Sequence, residues 1–360
     1  MKILYLGEIN AGQTALMRMR ALDRLGYVVY GVNTTEPWKQ ASWVARQVQR
    51  RLQRGSIVDD INASVLRAAR EFRPDLVWAD KQQFLRLETL AELRKLGARL
   101  VHFTPDPYFT LDWKRTRLMD EAMQAFDVLV YCKRYEREAY EALGRPLVYM
   151  PLGYCDDVHR PLPSDDSRWA CSVGFLGGWE PRRDRILHEV ALAGVDLKFR
   201  GGYWDFLQDG TWTLRRYVAL RQLAAGEPVR IHRDEVLVSH WQGDEVYGDD
   251  YARAITGAKI GLGFLRQVCP DQHTTRTFEI PACGSLLLAD RTDEHREFFA
   301  EGREAEFFAS SEEMLDKLKF YVGNESARHA IAKAGYDRCR SGGYSYVHRL
   351  RAALDAMTEI

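Results

Sequence analysis

The sequence predicts an α/β protein built from two Rossmann-like, doubly wound domains. Three observations predict this class. Short β-rich runs alternate with helical segments over the first 150 residues, a proline-bearing polar segment interrupts the alternation, and the alternation then restarts. Parallel strands connected by helices form a sheet that is covered on both faces. With 360 residues, of which 46% are hydrophobic, the chain is long enough for two such cores.

The first domain is predicted from apolar runs of four to six residues that are bounded by turn residues. These strand candidates are residues 2–6, 28–32, 76–79, 99–103, 128–131 and 147–150. The helical segments between them are residues 14–25, 38–72 with a break near Gly55, and 87–96. We therefore expect an N-terminal Rossmann-like domain over residues 1–155.

The second domain follows a predicted linker at residues 156–168, where prolines and polar residues occur without periodicity. Strand candidates resume at residues 170–176, 196–199, 260–264 and 285–289. These predict a C-terminal Rossmann-like domain over residues 169–343. Residues 344–360 predict a terminal helix rich in Arg and Leu.

Composition narrows the class of protein. The 51 basic and 51 acidic residues balance, so nothing overall indicates a nucleic-acid partner. The six cysteines are scattered without metal-ligand spacing and predict reduced thiols rather than a disulfide framework. The N-terminal apolar run is too short for a signal peptide, and no stretch is long enough to cross a membrane. We expect a cytoplasmic protein, with peripheral membrane contact left open.

Ligands bind at the carboxyl ends of strands in sheets of this kind, and with two such domains the expected site is the cleft between them. The most informative segment there is residues 271–290, DQHTTRTFEIPACGSLLLAD. A Thr- and Arg-rich turn leads into a helix that carries Glu279, and a small-residue turn then leads into a buried strand.

This segment resembles the donor-binding motif of GT-B glycosyltransferases of the CgeB-like, spore-maturation group, which are related to glycosyltransferase family 4. The resemblance implies a nucleotide-diphosphate-sugar donor, with Glu279 on the ribose. It places the diphosphate on the turn at residues 274–277, contributed by Thr275, Arg276 and Thr277. The alternative for Glu279 is a carboxylate that complements the helix dipole.

Asp271 stands eight residues before Glu279, at the spacing of the E-x7-E pattern of the retaining relatives. The resemblance therefore implies that Asp271 lies near the transferred sugar, although it is shorter than the family's glutamate. A plain loop aspartate is the alternative. The spacing favours retention at the anomeric carbon, and inversion is the second option.

Residues 174–187, GFLGGWEPRRDRIL, resemble the strand–glycine–arginine motif that opens the donor domain of the same group. The resemblance implies that Gly177 and Gly178 allow close approach to the ligand. It also implies that an arginine neutralises the leaving diphosphate. Arg182 is the first candidate for this role, followed by Arg183 and Arg185. A solvated basic helix face is the alternative. Further along, Tyr203 or Trp204 is a candidate to stack on the base, with ordinary packing as the alternative.

In the first domain, Gly12 lies in the loop after the first strand, where GT-B proteins place acceptor or sugar. His102 and Asp106 come at the end of a strand and are candidates to accept the acceptor's proton in an inverting reaction. A satisfied histidine and a turn aspartate are their alternatives, and Lys81 is a weaker candidate. In this family the terminal helix often crosses back to the first domain.

The function expected from the resemblance is hexosyl transfer from a nucleotide-sugar to a glycan, protein or small-molecule acceptor. No Asp-x-Asp motif follows a strand, so we expect a metal-independent reaction with no cofactor besides the donor. Two alternatives remain: a sugar-nucleotide epimerase on the same scaffold, and a non-catalytic protein that binds nucleotide-sugar or glycan.

Overall fold

The computed structural model describes residues 1–111, 114–164, 166–224, 226–229 and 231–360. The chain divides into two compact units, one formed by Met1–Leu152 with Tyr346–Ile360 and the other by Gly153–Ser345. Asp165, in the expected linker, lies outside the described residues. Each unit contains one parallel sheet with helices, which confirms the predicted fold class of two Rossmann-like domains.

The sheet of the first unit has six parallel strands in the order β2-β1-β3-β4-β5-β6. Their bounds are β1 Lys2–Gly7, β2 Val28–Asn33, β3 Leu76–Asp80, β4 Arg99–Thr104, β5 Val128–Tyr131 and β6 Leu147–Tyr149. Every residue of the central strand β3 is buried, as expected of a strand covered on both faces. The helices are α1 Thr14–Arg24, α2 Glu36–Gln40, α3 Trp43–Leu52, α4 Ser56–Phe72, α5 Leu87–Lys95, α6 Arg117–Met123 and α7 Arg137–Glu141.

The helical segment expected over residues 38–72 forms three helices instead of two. The additional break comes at Ser42, whose extended backbone and side chain cap α3 by accepting the Ala45 amide hydrogen. The second break lies where expected. Gln53 and Gly55 both have positive φ there, at 54° and 119°, which ends α3 and turns the chain into α4.

The second unit has a five-stranded parallel sheet in the order β11-β10-β9-β7-β8. Its strands are β7 Cys171–Leu176, β8 Leu197–Arg200, β9 Ala258–Gly263, β10 Leu286–Asp290 and β11 Glu306–Phe308. The three-residue strand β11 was not predicted because it is too short to show a pattern. The helices are α8 Pro181–Leu192, α9 Phe206–Asp209, α10 Leu214–Leu223, α11 Glu235–Val238, α12 Gly248–Thr256, α13 Arg276–Ala282, α14 Asp293–Phe298, α15 Ser311–Gly323 and α16 Glu325–Ser341.

The terminal helix α17, Tyr346–Thr358, belongs to the first unit. It buries Leu350 and Leu354, and the Arg99 guanidinium donates to the Met357 carbonyl at 2.8 Å. The Arg18 guanidinium of α1 lies 5.6 Å from the centre of the Tyr346 ring. Because these contacts are made with α1 and β4, the last helix completes the core that the first residues begin.

All six cysteines are buried, and none forms a disulfide. Among the helices in the described ranges, none combines the length and apolar character needed to cross a bilayer.

Candidate functional site

The carboxyl ends of β7, β8, β9 and β10 lie along one edge of the sheet in the second unit. The loop at residues 177–180 follows β7, and the loop at residues 201–204 follows β8. A longer loop at residues 264–275 connects β9 to α13. Because parallel strands expose their loops at this edge, it is the part of the unit where a ligand site is expected.

Glu279 lies in the first turn of α13 and is 2% exposed. Its Oε2 accepts the Tyr251 hydroxyl at 2.5 Å and the Arg276 Nη1 at 3.0 Å, and His159 Nε2 lies 3.6 Å from Oε1. Burial acts to raise the pKa of this carboxyl. The neighbouring His159, the Arg276 charge and the Tyr251 and Thr275 hydroxyl groups outweigh it and hold the pKa below its ordinary value. Glu279 is therefore a buried carboxylate that stays ionised at neutral pH.

Sequence reasoning missed two of these partners, His159 and Tyr251. His159 lies in the expected linker, where its Nδ1 accepts the Cys155 amide hydrogen at 2.9 Å. This bond leaves Nε2 as the protonated nitrogen of a neutral ring, facing Glu279. Burial lowers the pKa of His159 despite the neighbouring carboxylate. Tyr251 lies on α12, a helix that was not predicted from the sequence, and it belongs to none of the motifs described above.

The three residues expected at the diphosphate, at the start of α13, have different environments in the structure. Arg276 is partly exposed, and its Nε donates to the Leu176 carbonyl at 3.1 Å. Thr275 precedes the helix and accepts from Arg276 Nη1 at 3.1 Å. Thr277 is buried, and its hydroxyl oxygen accepts the Thr274 amide hydrogen while bonding His295 Nε2 at 2.9 Å. Thr275 and Arg276 therefore lie at the edge, whereas Thr277 shapes the turn from inside.

Asp271 is 8% exposed and lies in the loop that follows β9. Two neighbouring residues in this loop are bound to α14 or its cap. His273 Nδ1 pairs with the Glu294 carboxylate, and the Thr292 hydroxyl donates to the Gln272 carbonyl at 2.7 Å. The loop that carries Asp271 is thus held at Gln272 and His273, the two residues that follow it, by buried or half-buried contacts.

Arg182 forms a bidentate pair with Asp290 at the end of β10, with Nη1 3.0 Å from Oδ2. Arg183 is half-buried, donates to the Gly178 carbonyl at 2.9 Å, and has its pKa lowered by loss of solvent around the guanidinium. Arg185 is exposed and pairs with Glu227 on the outside of the unit. The structure therefore brings Arg182 and Arg183 to the strand ends, and Arg185 is the solvated residue of the three.

Several arginines with carboxylate partners gather at this edge of the second unit. Arg266 Nε lies 3.5 Å from Glu180 Oε1, and Arg183 shares the same carboxylate at 3.3 Å. The cluster consists of four arginines and three carboxylates: Arg182, Arg183, Arg266, Arg276, Glu180, Glu279 and Asp290. Four guanidinium groups gathered at one edge provide donors for an anionic group.

Glycines after β7 and β8 lie where two loops approach each other closely. A Cβ on Gly201 would lie 2.0 Å from the Gly177 carbonyl oxygen, and one on Gly178 would lie 3.5 Å from the Gly202 oxygen. Trp204 is fully buried and donates its indole N–H to the Gly177 carbonyl at 2.9 Å. Gly201 therefore allows the two loops to approach each other, whereas a Cβ on Gly177 would meet the Phe175 ring at 2.6 Å and one on Gly178 would make only an ordinary contact.

Of the two aromatic candidates for stacking, only Tyr203 is available at the surface. Its side chain is 51% exposed, and its φ of 67° is unusual for a residue other than glycine. Trp204 packs in the core. Backbone strain of this kind is often found at functional sites, so Tyr203 remains the stacking candidate.

In the first unit, the structure places His102 inside the protein. The ring is 1% exposed, Nε2 donates to the Gln82 carbonyl at 3.1 Å, and Nδ1 accepts the Thr104 hydroxyl at 3.1 Å. Burial lowers the pKa of His102 to about 4. Both nitrogens are used internally, so this arrangement favours the satisfied histidine over an acceptor-facing base.

Asp106 is also poorly suited to accept a proton. It pairs with Lys81 and with Lys114, whose Nζ lies 2.9 Å from the Asp106 carboxylate. Burial opposes ionisation, but the two lysines hold the pKa of Asp106 well below its usual range. Gly12 lies in the turn between β1 and α1 with φ 84°, a conformation that favours glycine.

Among the residues that the structure describes, no group of three or more His, Cys, Asp or Glu side chains is arranged to hold a metal ion.

The two parallel sheets and the loops at their carboxyl edges define the GT-B class of α/β folds. A family model described as glycosyl transferase-like matches residues 212–355, which include Glu279 and its partners Tyr251 and Arg276. No curated protein matches the chain.

Three solved structures share the fold. HepE from Anabaena, in complex with UDP-glucose, is 14% identical over 100% of both chains, with a TM-score of 0.62. The sucrose-phosphate synthase of Thermosynechococcus elongatus is 12% identical over 99% of this chain and 98% of its own, with a TM-score of 0.61. A putative UDP-N-acetylglucosamine 2-epimerase from Listeria monocytogenes is 12% identical over 99% and 96%, with a TM-score of 0.54.

Proposed function

We propose that this protein is a glycosyltransferase of the CgeB-like group that transfers a sugar from a nucleotide-diphosphate-sugar to an acceptor. The observation that carries the proposal is the buried, ionised Glu279 beside Arg276 at the start of α13. It lies in the segment that matches the glycosyl transferase-like model. HepE, which shares the fold, was solved with UDP-glucose.

Glu279 is the proposed ribose ligand. Its Oε2 accepts hydrogen bonds from Tyr251 and Arg276, the Thr275 hydroxyl is a further partner of the carboxylate, and Oε1 has the longer 3.6 Å approach of His159. A ribose hydroxyl is therefore expected to donate to Oε1. Tyr251 and His159 hold the carboxylate in place and act as positioning residues for it.

The diphosphate is proposed to lie against the arginine cluster, with Arg276 and Arg182 nearest to it. Negative charge builds up on the leaving diphosphate as the sugar–oxygen bond breaks, so fixed guanidinium groups stabilise the transition state more than the bound donor. This supports a metal-independent reaction. Asp271 is the proposed sugar contact, and retention is favoured because its spacing from Glu279 matches the retaining pattern. Six buried thiols fit a reducing, cytoplasmic compartment.

The test is calorimetric titration of the protein with UDP, GDP and ADP and their sugars, without metal. We expect one nucleotide to bind selectively. Glu279→Gln should weaken its binding about tenfold, because the loss of a charged hydrogen bond typically costs about 1–3 kcal/mol. Glu312→Gln is the matched control, since Glu312 is an exposed glutamate on α15. Equal affinity in wild type and Glu279→Gln would contradict the ribose role.

The second candidate is a sugar-nucleotide epimerase, which the fold shared with the Listeria protein favours. Incubation of the preferred sugar-nucleotide with the enzyme alone separates the two. Appearance of an epimeric sugar-nucleotide supports isomerisation. Sugar found on an added acceptor, with release of the free diphosphate, supports transfer. Binding with neither product supports a non-catalytic protein.

A further inference from the structure

Helix α3 exposes its apolar side chains instead of burying them. Trp43 is 58% exposed, Val44 62%, Val48 49% and Leu52 52%, and no residue of the helix is buried. Val44, Val48 and Leu52 are four residues apart and therefore form one stripe along the helix. A continuous apolar stripe on the surface indicates an interaction site.

The same helix and its flanks are strongly basic. Residues 41–55 contain Arg46, Arg50, Arg51 and Arg54 and no acidic residue, although the chain as a whole has no net charge. Within the described part of the chain, no carboxylate forms an ion pair with any of these four arginines, in contrast with the paired arginines of the candidate site. The segment therefore carries four positive charges around the apolar stripe. At helical spacing Arg51 flanks the stripe, whereas Arg46 and Arg50 lie on the other side of the helix, with the Arg50 guanidinium 5.6 Å from the centre of the Trp38 ring.

The orientation of α3 is fixed by contacts on another side of the helix. The Gln49 side-chain oxygen accepts the Ile57 amide hydrogen at 2.8 Å, and its nitrogen donates to the Ser56 hydroxyl at 3.2 Å. The Gln53 oxygen accepts the Leu118 amide hydrogen at 2.9 Å. These glutamines bind α3 to α4 and α6, which leaves the stripe turned outward.

We propose that α3 docks on the surface of an anionic lipid bilayer. Lying in the plane of the interface, the helix would bury Trp43 and the Val44–Val48–Leu52 stripe at the boundary between headgroups and acyl chains. Arg51 would meet anionic headgroups with its apolar stem along the interface, and the positive charge of the other arginines would add to the attraction within a Debye length. Nucleic acid would satisfy the arginines and leave the aliphatic stripe exposed, so a lipid surface accounts for both features. The inference concerns the first unit and does not depend on the proposed chemistry.

The experiment is flotation of the full chain with phosphatidylcholine vesicles that contain or lack phosphatidylglycerol. We expect the floated fraction to rise about tenfold with the anionic lipid and to fall at high salt. Both Arg50→Glu/Arg51→Glu and Val44→Ser/Val48→Ser should abolish flotation. These side chains are exposed, so the variants should keep the wild-type circular dichroism spectrum and unfolding temperature.

Control substitutions come from α15, which carries an exposed lysine and an exposed phenylalanine in the second unit. Lys319→Glu/Phe320→Ser should float like wild type. Equal flotation with both lipid mixtures, or flotation that both α3 variants retain, would overturn the proposal. Loss of flotation in the arginine variant alone would indicate a surface that binds any polyanion, and this result would also overturn the proposal.

A spectroscopic readout tests insertion independently of flotation. The difference in tryptophan emission between wild type and Trp43→Phe should shift to shorter wavelength with anionic vesicles, because the indole leaves water. An unshifted difference spectrum at vesicle concentrations that float the protein would contradict burial of Trp43.

Discussion

Charge at the strand ends of the second unit is shared between side chains. Asp290 binds both terminal nitrogens of Arg182 and also accepts the Leu265 amide hydrogen at 2.7 Å. Glu279 is shared among Arg276, Tyr251 and His159. These pairings orient each guanidinium and carboxylate before any anion binds, which is how a preorganised site lowers the cost of reaction.

Arg182→Ala is expected to slow turnover more than it weakens donor binding. The reason is that negative charge on the diphosphate is greatest in the transition state, so kcat should fall at least about tenfold while the donor Kd changes less than about threefold. Steady-state kinetics and calorimetry on the same preparation measure the two effects. Arg185→Ala is the control, because Arg185 pairs with Glu227 at the surface. Equal losses in kcat and affinity would assign Arg182 to ground-state binding.

At the scale of elements, the strands and most helices were predictable from periodicity and turn residues. Glu279 and Arg276 were predictable because a short continuous motif carries them. His159 and Tyr251 were not, since they reach Glu279 from a linker and from another helix, and tertiary packing alone brings them together. The same limit applies to His102, whose internal partners Gln82 and Thr104 decide its role.

The two loops after β7 and β8 provide a prediction about packing. In Gly201→Ala the new Cβ would meet the Gly177 carbonyl oxygen at 2.0 Å, with φ at 153°. We expect a loss of about 3 kcal/mol in the free energy of unfolding, because the clash involves backbone on both sides. Urea unfolding followed by circular dichroism measures it.

Gly194→Ala supplies the comparison for that experiment. Gly194 also has positive φ, at 72°, but its new Cβ would meet nothing within 4 Å. The Gly194→Ala variant should lose only about 1 kcal/mol in the free energy of unfolding, which is the ordinary cost of placing alanine in the left-handed region. Similar losses in the two variants would show that the loops adjust and that their close approach is not required.

At the scale of the whole molecule, each unit buries a neutral histidine. Burial lowers the pKa of His102 in the first unit and of His295 in the second to about 4, from an ordinary value of 6.5. Because the folded pKa is depressed, the stability that each contributes is complete above pH 6.5 and is lost as pH falls towards 4. At about 1.4 kcal/mol per pKa unit, each histidine accounts for roughly 3 kcal/mol.

Stability should therefore fall between about pH 7 and pH 4.5, and His102→Gln should reduce the slope of unfolding free energy against pH for the first unit. The slope is informative even if the variant is less stable throughout. Urea unfolding at several pH values measures it. His329→Gln is the control because the His329 side chain is 66% exposed. An unchanged slope in His102→Gln would show that other groups cause the acid sensitivity.

Because α17 packs in the first unit, we expect a substitution in its buried face to destabilise β1 and α1. Leu350 is fully buried in the first unit. Leu350→Ala should lower the free energy of unfolding by about 2–5 kcal/mol, because apolar burial is lost and a cavity is left behind. Hydrogen exchange should then accelerate in β1 and α1 more than in β9 and β10, whereas Arg351→Ala on the exposed face should leave both unchanged. Faster exchange confined to the second unit would contradict the assignment of α17.

This arrangement also sets an order for folding during synthesis. The second unit is one continuous stretch, Gly153–Ser345, and all of its strands have been made before α17 is translated. The first unit has its strands before this stretch but receives Leu350 and Leu354 only from α17, which follows it. Because domains fold as units when their residues are complete, the first unit cannot complete its core until the second unit has been made, and the apolar surface that α17 covers stays exposed until then.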